Sequence, residues 1–353
     1  MKDTAIYALT PQGAGLSKTL ADQLEADLFL PARLADSLHG RSSTHETIPF
    51  DRLLEAVAEN FFSYSRHVFI AATGIVVRAI SPHLKSKDRD PAIIVLDQEG
   101  KYVISLLSGH LGGANELARV VAKLTGGEAV ITTATDTAGV PSMDLLAKEN
   151  DLTIANLKAV KSINMALVSG EPVQVFDPEN RLRLKDQERP GFAIEQVYNE
   201  DQWINESPGV WVTWKNKKPD TALDQLILHP KCLVAGVGCN RGTKLQEIID
   251  LIKNTFQKDG LSMKSLKCLT SIEAKRDEPG LNGAARELDV PLVFFRKSEL
   301  ETIKAPHPSS VVKKHMGVSS VCEATVLLKT GGGRLLIPKT KSLNVTVAVA
   351  LGN

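Results

Sequence analysis

Residues 105–115 read SLLSGHLGGAN, setting Ser108, Gly109, His110, Gly112 and Gly113 between an apolar run and Asn115. Val103 to Leu107 has the composition of a buried strand. Leu117, Val120, Val121 and Leu124 recur at helical spacing, which predicts a helix opening at Asn115 with these four on one face. A strand, a glycine turn and a helix start therefore meet at one histidine. Glycine lets backbone N–H groups approach a ligand, and the first helical turn leaves donors unpaired, so the turn suits a carboxylate or a developing oxyanion. Ser108 and His110 lack a G-x-S-x-G elbow, which points to activated water rather than a covalent serine.

Other segments offer further groups. Thr73-Gly74 follows the apolar strand Val68 to Ala72, and Arg78 carries a planar fork suited to a carboxylate; the plainer reading is a strand-to-helix turn with a surface arginine. Thr73, Ser108 and Thr133 are all expected at carboxyl ends of strands, lining one crevice. Lys85 opens a run of alternating charge through Asp90, ordinarily a solvated face. Thr133 and Asp136 lie in TTATDT, either a capping turn or a place from which Asp136 orients His110. Ser320-x-x-Glu323 has the capping-box pattern, with Glu323 as a general acid or base the alternative. Lys339 and Lys341 could contact an anion. Gly236 and Gly238 in GVGCNRG give G-x-G, but the third glycine, Gly242, comes one residue late and no acidic residue ends the next strand, so a dinucleotide fingerprint fails. The eight histidines form no i, i+4 pair, and no metal site is expected.

The elements that must hold these groups alternate along the chain. Strand-like runs at Ala5 to Leu9, Val68 to Ala72, Ala92 to Leu96, Tyr102 to Leu107 and Val130 to Thr132 are interleaved with helical stretches, the first from Leu16. Asp97-Gln98-Glu99-Gly100 reads as a hairpin turn, which makes the sheet mixed. From about 141 the texture turns polar and holds all three tryptophans; the α/β rhythm resumes near Lys231 and closes with Val345 to Leu351. The expectation is two α/β domains, 1–140 and 230–353, with mostly parallel or mixed sheets, joined by a smaller module at 141–229. The 353 residues carry 42 Lys and Arg against 41 Asp and Glu, a net charge of +1 that provides no global field for nucleic acid or membrane. No signal peptide is expected and no run of about 18 apolar residues occurs, and four scattered cysteines without C-x-x-C suit a reducing cytoplasm.

In order, TGIVVR, DPAIIVLD, SGHLGGAN, ITTATD, GVGCNRGT, VCEAT and LLIPKTK resemble the CbiG family over nearly the whole chain, most weakly in the middle module. The resemblance implies hydrolysis of cobalt-precorrin-5A in oxygen-independent cobalamin biosynthesis. Water opens a δ-lactone on a cobalt-bearing tetrapyrrole, and a two-carbon fragment leaves as acetaldehyde. It implies no cofactor beyond the cobalt carried by the substrate and no nucleic-acid partner; a homodimer is left open. Under it, Arg78, Lys85 and the glycine-turn amides meet the macrocycle's acetates and propionates. His110 is the base for water and Gly109 to Gly113 the oxyanion donors, or the histidine merely hydrogen-bonds a propionate. A tetrapyrrole carrier and a nicotinamide-dependent oxidoreductase are the competing readings.

Overall fold

The computed structural model describes residues 3–35, 46–86, 89–140, 142–184, 193–216, 224–303, 305–307 and 320–352. By contacts the chain divides into two compact units, 1–145 and 146–353. Among the described residues no helix is long and apolar enough to cross a membrane.

The first unit is built on a seven-stranded sheet of β1 (Thr4–Ala8), β2 (Asp27–Pro31), β3 (Thr47–Phe50), β4 (Arg66–Ile70), β5 (Ala92–Leu96), β6 (Tyr102–Leu107) and β7 (Glu128–Val130). Its order is β3-β2-β1-β4-β5-β6-β7. Strand alternation feeds two cores: Ile6 and Ala8 face one, Ala5 and Tyr7 the other. The first core is covered by α1 (Pro11–Leu24) and α5 (Ala114–Thr125) and the second by α3 (Leu53–Asn60) and α4 (Thr73–Ile80), while α2 is the short Ala32–Ala35 turn. Burial on both faces explains why β5 and the Val68–Ile70 part of β4 are continuous apolar runs.

Three details differ from the sequence reading. Helix α1 begins at Pro11, not Leu16: Thr10 is the N-cap, its hydroxyl accepting from the Gly13 amide at 3.1 Å, and Pro11 fits the first turn. Strand β7 ends at Val130 rather than starting there. In α5 only Leu117 and Val121 of the expected four face inward; Val120 and Leu124 are exposed, and Ala114, Ala118 and Ala122 complete the buried stripe. Small residues at that spacing let the helix lie close on the sheet.

The Asp97 turn closes as expected, its carboxylate accepting from the amides of Glu99 at 2.8 Å and Tyr102 at 2.7 Å. Strand β6 thus runs antiparallel to β5, and β7 runs parallel to β6.

The second unit holds two five-stranded sheets. The first, of order β10-β9-β11-β12-β8, comprises β8 (Leu152–Ile154), β9 (Val173–Phe176), β10 (Ile194–Val197), β11 (Gly209–Val212) and β12 (Gln225–Pro230), with helix α8 (Leu157–Val168) on it. Trp203 and Trp211 pack with Phe176 in its core. The second, of order β15-β14-β13-β17-β16, comprises β13 (Leu233–Cys239), β14 (Leu266–Ile272), β15 (Leu292–Phe295), β16 (Leu335–Lys341) and β17 (Val345–Leu351). Helices α9 (Leu245–Lys258), α10 (Pro279–Glu287), α11 (Lys297–Glu301) and α12 (Val321–Lys329) accompany it. Short helices α6 (Ala134–Ala138) and α7 (Met143–Glu149) precede β8 in the chain. All three sheets are parallel or mixed and carry helices, an α/β architecture.

Gly236 and Gly238, weighed above as ligand-loop glycines, lie inside β13. A Cβ on Gly236 would sit 2.0 Å from the Cys322 carbonyl oxygen, and one on Gly238 2.7 Å from Thr346 Oγ1. Close packing of α12 and β17, not a ligand, requires glycine there. Gly236→Ala is therefore expected to cost about 2 kcal/mol or more by overpacking, read as a lower urea midpoint at unchanged slope. His67 offers a second test. It is fully buried among Tyr7, Phe61 and Phe69, with Nε2 3.1 Å from the Phe61 carbonyl oxygen, and burial pushes the imidazole down to about 4. The unfolded state then binds a proton that the folded state refuses as pH falls below about 6.5, so stability declines down to about pH 4. His67→Phe should remove about 3 kcal/mol of that decline, measured as unfolding free energy at pH 7 and pH 4.

Candidate active site

The SGHLGGAN loop is folded by its own small residues. Ser108 takes a left-handed φ of 57°, and its carbonyl accepts from the Ala114 amide at 3.1 Å. Gly109 accepts from the Asn115 amide at 3.0 Å, and His110 from that of Gly113 at 3.0 Å. A Cβ on Gly112 would fall 2.4 Å from the Ser108 Cβ, and one on Gly109 2.7 Å from Asn115 Oδ1. The glycines are there because the chain crosses itself. One consequence corrects the oxyanion expectation: the Gly113 amide is already paired.

Asp136 gathers the neighbouring side chains. Its Oδ2 accepts from Thr133 Oγ1 at 2.6 Å and Asn115 Nδ2 at 2.9 Å, and lies 3.1 Å from His110 Nε2; Arg119 pairs with Oδ1. Asn115 also donates to Thr133 at 3.1 Å and accepts from Ser105 at 2.7 Å. Burial alone would raise the Asp136 carboxyl, but hydrogen bonds from Thr133, His110 and Arg119 outweigh it and hold it below the ordinary range. His110 is mostly buried. Its Nε2 also meets Thr135 Oγ1 at 3.0 Å, and its Nδ1 faces the Asp144 carboxylate at 3.7 Å. Both ring nitrogens face carboxylates, and little of the ring is exposed. Ser108 does not join it, because its hydroxyl donates to the Asp90 carbonyl at 3.0 Å.

Of the residues singled out in the sequence, Ser108, Gly109, His110, Gly112, Gly113, Asn115, Thr133 and Asp136 come together. Lys85 lies beside them: its amide donates to Asp90 Oδ1 at 2.9 Å, and its ammonium sits 4.2 Å from the centre of the Phe62 ring. Thr73, Gly74 and Arg78 do not. They follow the carboxyl end of β4, next to Leu96, whereas β6 runs the other way and delivers Ser108 beside Asp90 at the amino end of β5. The two turns are separated by a strand length, about 15 Å at roughly 3.3 Å per residue. Thr73 instead borders a cavity of about 340 Å³ with Thr10, Asp97, Gln98 and Tyr102. Arg78 donates within its own helix to the Gly74 carbonyl at 2.9 Å and is exposed. The single crevice expected from three strand ends is thus two places at opposite ends of the sheet. Arg119, Thr135 and Asp144 escaped the sequence reading. Arg119 could have been found one turn after Asn115; Asp144 gives no such signal.

A second arrangement lies in the 146–353 unit. Ser320 makes no side-chain cap and Glu323 is not a capping-box residue: it is fully buried. Its Oε2 accepts from the His307 amide and its Oε1 from His307 Nδ1 and the Lys339 amide, each at 2.9 Å. The Lys339 ammonium donates to the His307 carbonyl at 3.2 Å. The His307 side chain is 56% exposed.

The chain matches family models described as Cobalamin synthesis G N-terminal over residues 55–136, Cobalamin biosynthesis central region over 141–230, and Cobalamin synthesis G C-terminus over 233–350. It is 34% identical over 357 residues to a cobalt-precorrin-5A hydrolase of Priestia megaterium, covering 99% of this chain and 95% of that one. A cobalt-precorrin-5A hydrolase of Salmonella typhimurium is 33% identical over 354 residues, covering 99% and 97%. Among solved structures, a putative cobalamin biosynthesis protein G homolog from Sulfolobus solfataricus matches at 22% identity and a TM-score of 0.36, covering 99% and 97%.

Asp136→Asn keeps the acceptor for Thr133 and Asn115 but removes the charge facing Arg119 and His110. At pH 7 it should cost about 1–3 kcal/mol. A depressed carboxyl contributes stability that is present above the unfolded value near 4 and lost as pH falls through the lower folded value. The difference between parent and variant in urea unfolding should therefore shrink below about pH 4.

Proposed function

The chain belongs to the cobalamin synthesis G family, and from that premise we propose that it is a cobalt-precorrin-5A hydrolase. The observation that carries the reading is a likeness at about a third identity to relatives of that name, spanning nearly all of both chains. The reaction adds one water. Its oxygen attacks the δ-lactone carbonyl, the lactone C–O bond breaks, and an acetate side chain and a hydroxyl on the methylated meso carbon result. Loss of the hydroxyl proton then drives cleavage of the carbon–carbon bond; the ring carbon takes a proton and the fragment leaves as acetaldehyde, giving cobalt-precorrin-5B. Cobalt enters as part of the substrate, and the chain's own side chains handle the protons.

Polycarboxylate recognition suits Lys85 and the Gly109 and Gly112 amides, which share one end of the first sheet. The His110–Asp136–Arg119 network holds this loop in shape. The four cysteines are free, which fits a reducing cytoplasm.

Anaerobic incubation with cobalt-precorrin-5A should release one acetaldehyde per substrate, with the corrinoid mass falling by the two-carbon unit after water is added. Tight binding with no mass change would instead assign a carrier. Titration with NADH or NADPH should leave the cofactor's fluorescence unchanged.

A further inference from the structure

We infer that His307 is the general base that activates water for lactone opening, with Glu323 as its positioning residue; the inference rests on the hydrolase reading. The argument begins with the carboxylate. Glu323 is fully removed from solvent, an expensive place for a charge unless every interaction is well made. Three donors are spent on it, and two belong to His307. Pinning the backbone amide and Nδ1 of one residue to the same carboxylate fixes both the position of the ring and its tautomer: Nδ1 carries the proton and donates. Nε2 is left as the acceptor. Among the described residues it has no partner, and the side chain is half exposed.

A buried carboxylate, an imidazole held through Nδ1 and an outward Nε2 form the base-and-orienter pair that water activation requires. His110 has the opposite geometry, with carboxylates at both nitrogens and little exposure. Lys339 adds to the case. Its amide caps the same Glu323 oxygen that holds Nδ1, and its ammonium fixes the His307 carbonyl. The residue carrying the ring is thus held at its amide, its carbonyl and Nδ1.

In the step assigned to it, Nε2 takes one proton as the water oxygen bonds to the lactone carbonyl carbon, while the Nδ1 proton stays on its hydrogen bond to Glu323. As the tetrahedral species collapses and the lactone C–O bond breaks, Nε2 returns the proton to the leaving alkoxide oxygen. Imidazole and carboxylate end as they began, and one water has been added.

The test uses the full chain with cobalt-precorrin-5A under anaerobic conditions. Parent, His307→Ala, His307→Gln and Glu323→Gln proteins, each checked as folded by circular dichroism, are compared by acetaldehyde release and by absorbance titration of the substrate. His307→Ala and His307→Gln should lower kcat at least ten-fold with substrate affinity within about three-fold of the parent. Added imidazole should restore the alanine variant at least several-fold, a response that a structural role would not give. Glu323→Gln should lower kcat with KM little changed. Turnover of the His307 variants within ten-fold of the parent, no recovery with imidazole, or a loss traced to substrate affinity would each overturn the assignment. A parent that binds but releases no acetaldehyde would overturn the hydrolase reading itself.

Discussion

The first unit turns on one carboxylate, that of Asp97. By accepting the amides of Glu99 and Tyr102 it closes a tight turn and sends β6 back beside β5. Everything after that turn runs in the reversed direction, so the histidine loop is delivered to the amino end of the parallel strands. The usual rule, that chemistry gathers where parallel strands end, then applies twice with opposite sense in one sheet. One set of strand ends borders the Thr73 cavity, and the other carries the loop of His110.

This reversal explains what could be read from the sequence and what could not. The alternation of apolar and amphipathic runs identified the α/β class and most strands, because central strands buried on both faces advertise themselves. The hairpin at Asp97 was legible for the same local reason. Its consequence for Thr73 was not, since placing three strand ends in one crevice needs the direction of every strand. Helix faces failed where alanine did the packing: Val120 and Leu124 fit a hydrophobic period, yet the buried stripe runs through Ala114, Ala118 and Ala122. Thr10-Pro11 is a cap signal that a helix read from Leu16 passes over. Glu323 is the sharpest case, because a capping box and a buried carboxylate have identical local sequence. Only its tertiary partners, His307 and Lys339, distinguish them.

The two histidine–carboxylate arrangements show how the same side chains can be committed differently. His110 sits between two acids and beside a threonine, mostly buried against a glycine-rich loop. His307 gives one nitrogen to a carboxylate, and its side chain is half exposed. Residue type and motif conspicuousness favoured the first; the greater exposure of the ring favours the second.

The donors that satisfy Glu323 come from both sides of it in the chain, His307 before and Lys339 after. During synthesis helix α12 emerges from the ribosome before β16, so at that moment one of the three donors that make its carboxylate tolerable inside protein does not yet exist. Strand β13 waits even longer, since its partner β17 is made more than a hundred residues later. Strands β14 and β15 can pair with one edge of β13 beforehand, but its other edge stays open until β17 has been made.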